Sequence, residues 1–183
     1  MSYIIYVKGI NSLTFTLLWR YIMFNDRPKK PAFFCVPVST DLTDPIFDKC
    51  QQRFELANKY GTHVTLLFKP KGVNKMDLMA RMGKEVVLTP LYILGRAAQG
   101  CTVVFSIDCP DLYREGSRPH VTIGTGAGYP PNVSNHIIED WLSGNNEDVT
   151  YIETDMPPIK GVVSAAIYGK QGLAYVDQKD WVR

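Results

Sequence analysis

The tripeptide His-Val-Thr occurs twice in this chain, at His63-Val64-Thr65 and at His120-Val121-Thr122, each time within a run of strand-forming residues. Thr62 to Lys69 (THVTLLFK) follows Gly61 and is stopped by Pro70-Lys71-Gly72, while Pro119 to Thr125 (PHVTIGT) leaves through Gly124-Thr125-Gly126-Ala127-Gly128. Side chains two apart on a strand project from the same face. His63 and Thr65 therefore point together with Val64 turned to the core, and His120 and Thr122 do the same with Val121 behind. A chain with this repeat must build two strands that each carry one apolar and one polar face.

The rest of the pattern fills in around these strands. Ala32 to Val38 (AFFCVPV) reads as a strand, with Pro37 marking an edge or an end. Asp44-Pro45 is an N-cap residue followed by proline, and Phe47, Cys50, Phe54 and Ala57 recur at helical spacing. These predict a helix over Pro45 to Tyr60, closed by Gly61. Lys75 to Met82 predicts a short helix. Val86 to Leu94 and Cys101 to Ile107 predict two strands joined through Gly95 to Gly100. Ser134 is positioned to cap a helix that runs to about Leu142. Val162 to Tyr168 and Gly172 to Val176 predict a last hairpin, turning at Gly169-Lys170-Gln171. The order is that of an α+β fold, and its halves look like divergent copies of one unit. Asn25 to Pro31 (NDRPKKP) is a polar, proline-flanked linker, dividing an N-terminal extension over 1–30 from a domain over 31–183. Within the extension, Leu13 to Phe24 is apolar but interrupted by Arg20. It falls short of the roughly 20 residues a membrane helix needs, and is expected to lie on the domain as a strand or short helix.

Composition narrows the chemistry. A formal net charge of +2 over 183 residues does not predict a surface that coats nucleic acid. An anionic ligand must then be handled by a local site, which favours a small or terminal substrate. The four cysteines contain no C-x-x-C pair and no histidine at metal-finger spacing. Cys35 and Cys50 read as small buried hydrophobes, and Cys101 with Cys109 is a conceivable pair in a chain otherwise expected to keep reduced thiols. The expectation is an intracellular protein, cytoplasmic or nuclear, a monomer, with no membrane association, no bound metal and no cofactor. Two imidazoles and two hydroxyls suffice for in-line displacement at phosphorus. The hydroxyls hold non-bridging oxygens, one imidazole takes a proton from the nucleophile, and the other gives one to the leaving oxygen. An ordinary histidine pKa of about 6.5 suits both tasks. A single H-x-T on a strand is more often packing or surface decoration. Two of the chain's three histidines in identical triplets make a stronger signal. His136, in the late helix without a threonine partner, reads as surface.

The paired triplets resemble the signature of the two-histidine (2H) phosphoesterase superfamily. The second region, Pro119 to Leu142 (PHVTIGTGAGYPPNVSNHIIEDWL), is similar to the cyclic phosphodiesterase domain of fungal-type tRNA ligases and related RNA-repair proteins. The shared features are the Gly124-Thr125 step, Pro130-Pro131, Ser134-Asn135 and the helix over Ile137 to Leu142, whereas Thr62 to Pro70 matches only the general pattern. The resemblance covers roughly Ala32 to Tyr168, with a short interval between the two histidines that implies a trimmed middle. It implies two pseudo-symmetric lobes of antiparallel sheet with flanking helices and a central cleft. The implied reaction is the opening of an RNA 2′,3′-cyclic phosphate to a 2′-phosphate. By the same resemblance His63 is the general acid and His120 the general base, with Thr65 and Thr122 holding the phosphate.

Other readings stay open. The same four residues would serve a 2′–5′ oligoadenylate or a cyclic oligonucleotide used as an immune signal, or a non-catalytic module that binds RNA ends. Substrate-contact candidates are Tyr129, in the glycine–proline loop beyond the second motif, and Thr125 beside its glycines, whose backbone N–H groups suit phosphate. Arg118 and Lys69 are candidate cations, although such side chains more often sit solvated on a surface. Phe68, Tyr92 and Tyr168 are further stacking candidates of a type more often found in cores.

Overall fold

Short runs of β-branched and aromatic residues between turn signals become strands throughout the described part of the chain. The computed structural model describes residues 31–68, 80–112, 118–169 and 172–176, all within the second of the two units, Met1–Lys30 and Pro31–Arg183, into which the chain divides. The apolar segment Leu13 to Phe24 and Lys69 lie outside the described residues, as does most of the helix expected over Lys75 to Met82.

In chain order the elements are β1 (Phe33–Pro37), α1 (Thr40–Gln51), β2 (Asn58–Lys59), β3 (His63–Phe68), β4 (Glu85–Arg96) and β5 (Gly100–Ile107). A 3₁₀ turn at Pro110–Leu112 precedes β6 (His120–Thr125), α2 (Val133–Ser143), β7 (Thr150–Ile152), β8 (Ile159–Val162), β9 (Ser164–Gly169) and β10 (Gly172–Val176). The strands form two antiparallel sheets. One has four strands in the order β10-β9-β1-β3; the other has six, β2-β6-β5-β4-β7 with β8 also on β4. This is the two-lobed α+β architecture expected from the sequence. Among the described residues no helix is long and apolar enough to cross a membrane.

The sheets share one core. Val36, Val64 and Leu66 from the smaller sheet meet Val103, Phe105, Val121 and Ile123 from the larger, with Ile46, Phe47 and Cys50 of α1 in the same cluster. On the far face of the six-stranded sheet, Val133, Ile137 and Ile138 of α2 cover Leu94 and Val104. The chain also ties the lobes directly. Tyr60 N–H donates to the Ile123 carbonyl of β6 at 2.9 Å, and two residues on the Thr62 carbonyl accepts from Val38 N–H at 2.9 Å. β8 and β9 are separated only by Val163, and they belong to different sheets.

The first helix differs from its expected span. Ser39, not Asp44, is the N-cap, its hydroxyl accepting from Asp41 N–H at 3.3 Å, and Pro45 lies inside the helix. Proline lacks the N–H that would bond four residues back, so a helix tolerates it there only when packing compensates. The packing is visible in Ile46, Phe47 and Cys50, all buried immediately after it. The helix stops at Gln51 because the chain turns to insert Phe54 and Leu56 into the core and then lays β2 on β6. Gly61 has φ +91°, but it leads into β3, and its carbonyl accepts from the buried Thr43 hydroxyl at 3.0 Å. All four cysteines are free, and Cys50 and Cys101 lie in the same buried core.

Phe54 packs directly against the backbone of β4, where a Cβ on Gly95 would lie 2.3 Å from the ring. Phe54→Ala should cost about 3–5 kcal/mol, and Gly95→Ala about 1–3 kcal/mol by overpacking. In the double variant the vacated ring space accepts the new methyl group, so denaturant unfolding should give a combined loss smaller than the sum. Additive losses would show that the two sites do not share this space.

Candidate active site

β3 and β6 run close together where the two sheets meet, although they belong to different hydrogen-bonded ladders. Strand alternation then sets what each side chain meets. Val64, Leu66, Val121 and Ile123 are buried in the shared core, which turns His63, Thr65, His120 and Thr122 to the opposite faces of their strands, all four half-buried. The rings of His63 and His120 are near enough for the charge of one to act on the other. The two triplets, far apart in sequence, are thus brought together.

His63 stacks on Phe33 of β1, ring centroids 4.7 Å apart and planes at 24°. Its Nδ1 lies 3.0 Å from Thr62 Oγ1 and 3.1 Å from the Tyr175 hydroxyl of β10. His120 Nδ1 lies 2.8 Å from the Arg118 carbonyl. A carbonyl only accepts, so this nitrogen carries the proton and Nε2 of the neutral ring keeps its lone pair. Burial pushes the His63 pKa down to about 4, and repulsion from His120 adds to the shift. Burial also lowers His120, partly opposed by its bond to the Arg118 carbonyl. Both rings are therefore neutral at pH 7.

The two threonines differ. Among the described residues Thr65 makes no side-chain hydrogen bond, so its proton is available to a ligand. The Thr122 hydroxyl donates to the Pro131 carbonyl at 3.2 Å and shares a 3.0 Å hydrogen bond with Ser134 Oγ. Ser134 is not the helix cap expected from the sequence. It is the second residue of α2 and 0% exposed; Asn132 occupies the cap position without a side-chain bond. Its hydroxyl ties α2 to the second motif.

The supporting residues divide similarly. Thr125 is 0% exposed, donates to the Tyr129 carbonyl at 2.8 Å and accepts from Asn58 Nδ2 at 3.3 Å, so it holds the loop rather than facing a ligand. Tyr129 is 39% exposed and Arg118 is exposed. Tyr92 joins Trp141 and Tyr151 in an aromatic group, 5.5 Å from Tyr151 between centroids. Phe68 and Tyr168 lie in β3 and β9, but their side chains are outside the described part. His136 is exposed, 3.7 Å from Glu139. Sequence reasoning missed Thr62, Phe33 and Tyr175. Thr62 adjoins the motif, but no spacing rule links His63 to a tyrosine 112 residues away. Among the described residues no three His, Cys, Asp or Glu side chains are grouped as a metal ion would require.

No family model matches the chain, and no curated protein matches it in sequence. Among solved structures it is similar to a fungal RNA kinase, with a TM-score of 0.57 at 13% identity over 79% of this chain. The likeness is one of fold. The match spans 47% of that chain, so this protein corresponds to about half of the kinase's length.

Two titrations follow from the site. In the free protein, NMR should place the His63 transition well below 6.5, and His120→Gln should move it upward by removing the like charge. A fixed His63 transition in that variant would show that the rings do not interact. Since both rings bind protons less readily folded than unfolded, stability should be full above about pH 6.5. It should decline as the pH falls towards 4, because the unfolded chain takes up more protons there. Denaturation midpoints of wild type and His63→Gln across this range would measure the share due to His63.

Proposed function

We propose that this chain is a metal-independent phosphodiesterase of the two-histidine type that opens a 2′,3′-cyclic phosphate at an RNA end to a 2′-phosphate. The observation that carries this reading is the pairing of His63 and His120 on adjoining strands of two different sheets, both turned away from the shared core. The fold likeness to a protein described as a fungal RNA kinase supports a substrate of RNA type.

In this scheme a water attacks phosphorus in line with the P–O3′ bond. His120 Nε2, the lone-pair nitrogen, takes the water proton as the new P–O bond forms. The P–O3′ bond breaks, and His63 gives a proton from Nε2 to O3′, leaving a 3′-hydroxyl and a 2′-phosphate. Of the two rings only His63 must first gain a proton, which the bound phosphate anion favours by drawing its pKa back up, whereas His120 is already in the neutral form that a base needs. Thr65, with its free proton, is the first choice as donor to a non-bridging oxygen. Thr122 contributes by anchoring the first turn of α2, whose dipole favours negative charge nearby. Tyr129 and Arg118 remain as candidate contacts with the base and the adjoining phosphate; Thr125 is left out because its hydroxyl is engaged internally.

With EDTA present, RNA carrying a cyclic end should be converted to the 2′-phosphate, and His63→Ala and His120→Ala should each lower kcat by at least ~10²-fold. The pH–rate profile should be bell-shaped, its limbs belonging to the coupled pair. A flat profile between pH 5 and 8 would remove the acid–base scheme. Cleavage of 2′–5′ oligoadenylate or a cyclic oligonucleotide in its place would reassign the substrate and keep the chemistry.

The threonines should separate in a second experiment. Thr65→Val should reduce kcat/KM by roughly 10–100-fold, the worth of a hydrogen bond to a charged group, with little change in stability. Thr122→Val should also shift the denaturation midpoint, because it unties α2. If Thr65→Val kept kcat/KM within about twofold, Thr65 would not be a phosphate donor.

A further inference from the structure

The two catalytic imidazoles are held at Nδ1 by partners of different chemical kinds. At His120 the partner is the Arg118 carbonyl, an acceptor in every circumstance. At His63 it is a pair of hydroxyls. The Tyr175 hydroxyl lies 3.1 Å from His63 Nδ1, 3.1 Å from Thr62 Oγ1 and 3.3 Å from the Thr62 carbonyl, while Thr62 Oγ1 is 3.0 Å from the same Nδ1. The two oxygens and the nitrogen form a closed triangle with one carbonyl at its side.

Tyr175 reaches this point from the outermost strand of the four-stranded sheet, across β9 and β1. Its register partner on β9 is Ala166, itself opposite Phe33 on β1. The small alanine is fully buried between them. Phe33 forms the floor on which the His63 ring stacks, and Tyr175 meets that ring at 60° with centroids 6.0 Å apart. The ring is thus fixed from below by an aromatic face and from one edge by two hydroxyls.

Hydroxyls both give and accept protons in hydrogen bonds. A neutral His63 with its proton on Nε2 fits this group when Thr62 Oγ1 donates to Nδ1 and the Tyr175 hydroxyl donates to the Thr62 carbonyl or Oγ1. When His63 is charged, Nδ1–H donates to a hydroxyl, and Tyr175 turns its own proton to the Thr62 carbonyl. In this arrangement Nε2 carries a proton in both states. We propose that Tyr175 and Thr62 form a positioning couple that keeps a proton on His63 Nε2 and so makes this ring the proton donor, opposite in tautomer to His120. The inference rests on the phosphodiesterase reading and deepens it by dividing the roles of the two rings. Neither residue touches the reacting atoms; both act through His63.

The test reads the tautomers directly, in full-length protein with ¹⁵N-labelled imidazoles at pH 7.5. In wild type, His63 should show a protonated Nε2 and a bare Nδ1, and His120 the reverse. Tyr175→Phe should weaken this bias, and Thr62→Val/Tyr175→Phe should abolish it at His63 alone. Thr62→Ser, which keeps a hydroxyl, should restore the pattern that Thr62→Val loses. On RNA with a cyclic end, Tyr175→Phe should lower kcat roughly tenfold, the worth of one hydrogen bond, with KM little changed. A wild-type His63 protonated on Nδ1, or a double variant with unchanged His63 resonances, overturns the couple. Because the spectra need no turnover, a wild type with the expected tautomers but no activity on any phosphodiester overturns the donor role together with the parent reading.

Discussion

Each imidazole is held in place by what lies on the other side of its strand. Val64 and Leu66 in β3, and Val121 and Ile123 in β6, are almost fully buried in a core shared by both sheets. Withdrawing side chains of this size from water contributes about 1.5–3 kcal/mol apiece. A one-residue slip of either strand would exchange these apolar groups for a histidine and a threonine, so register is strongly specified. The polar face follows from the apolar one, so core packing decides which side of each strand the motif side chains occupy.

Much of this was legible in the sequence because it depends on period-2 alternation within strongly marked runs. β3, β4, β5, β6, β9 and β10 lie close to where alternation and turn residues put them, as does α2. What could not be read depends on tertiary compensation. Pro45 looks like a helix start, yet burial of the residues after it carries the helix from Ser39 through the proline. The short strands β2, β7 and β8 have too few residues for a pattern, and exist because a neighbour offers a free edge. The four motif residues were readable, whereas the state of their hydroxyls was not. Whether Thr122 is engaged depends on Ser134, and whether Thr125 is exposed depends on Asn58.

Electrostatics gives the histidine pair a definite resting character. Desolvation of both rings, with repulsion from His120 added at His63, leaves a pair of neutral imidazoles, a poor acid beside an available base. An anion bound beside them favours the protonated form that the acid, His63, requires. Under the proposed reading, the proton needed for the leaving group is recruited by the substrate's own charge, which ties readiness for chemistry to occupancy.

The contact between His120 Nδ1 and the Arg118 carbonyl has a consequence for how this protein can vary. Every residue type has a backbone carbonyl, so replacing the Arg118 side chain leaves the acceptor in place, and only a change in chain path can remove it. At the other ring the anchoring groups are side chains, Thr62 beside it in sequence and Tyr175 on a distant strand, each open to loss by a single codon. Mutational drift should therefore reach the two halves of the pair unequally, with the second-motif histidine shielded by the main chain and the first exposed to its neighbours' fate.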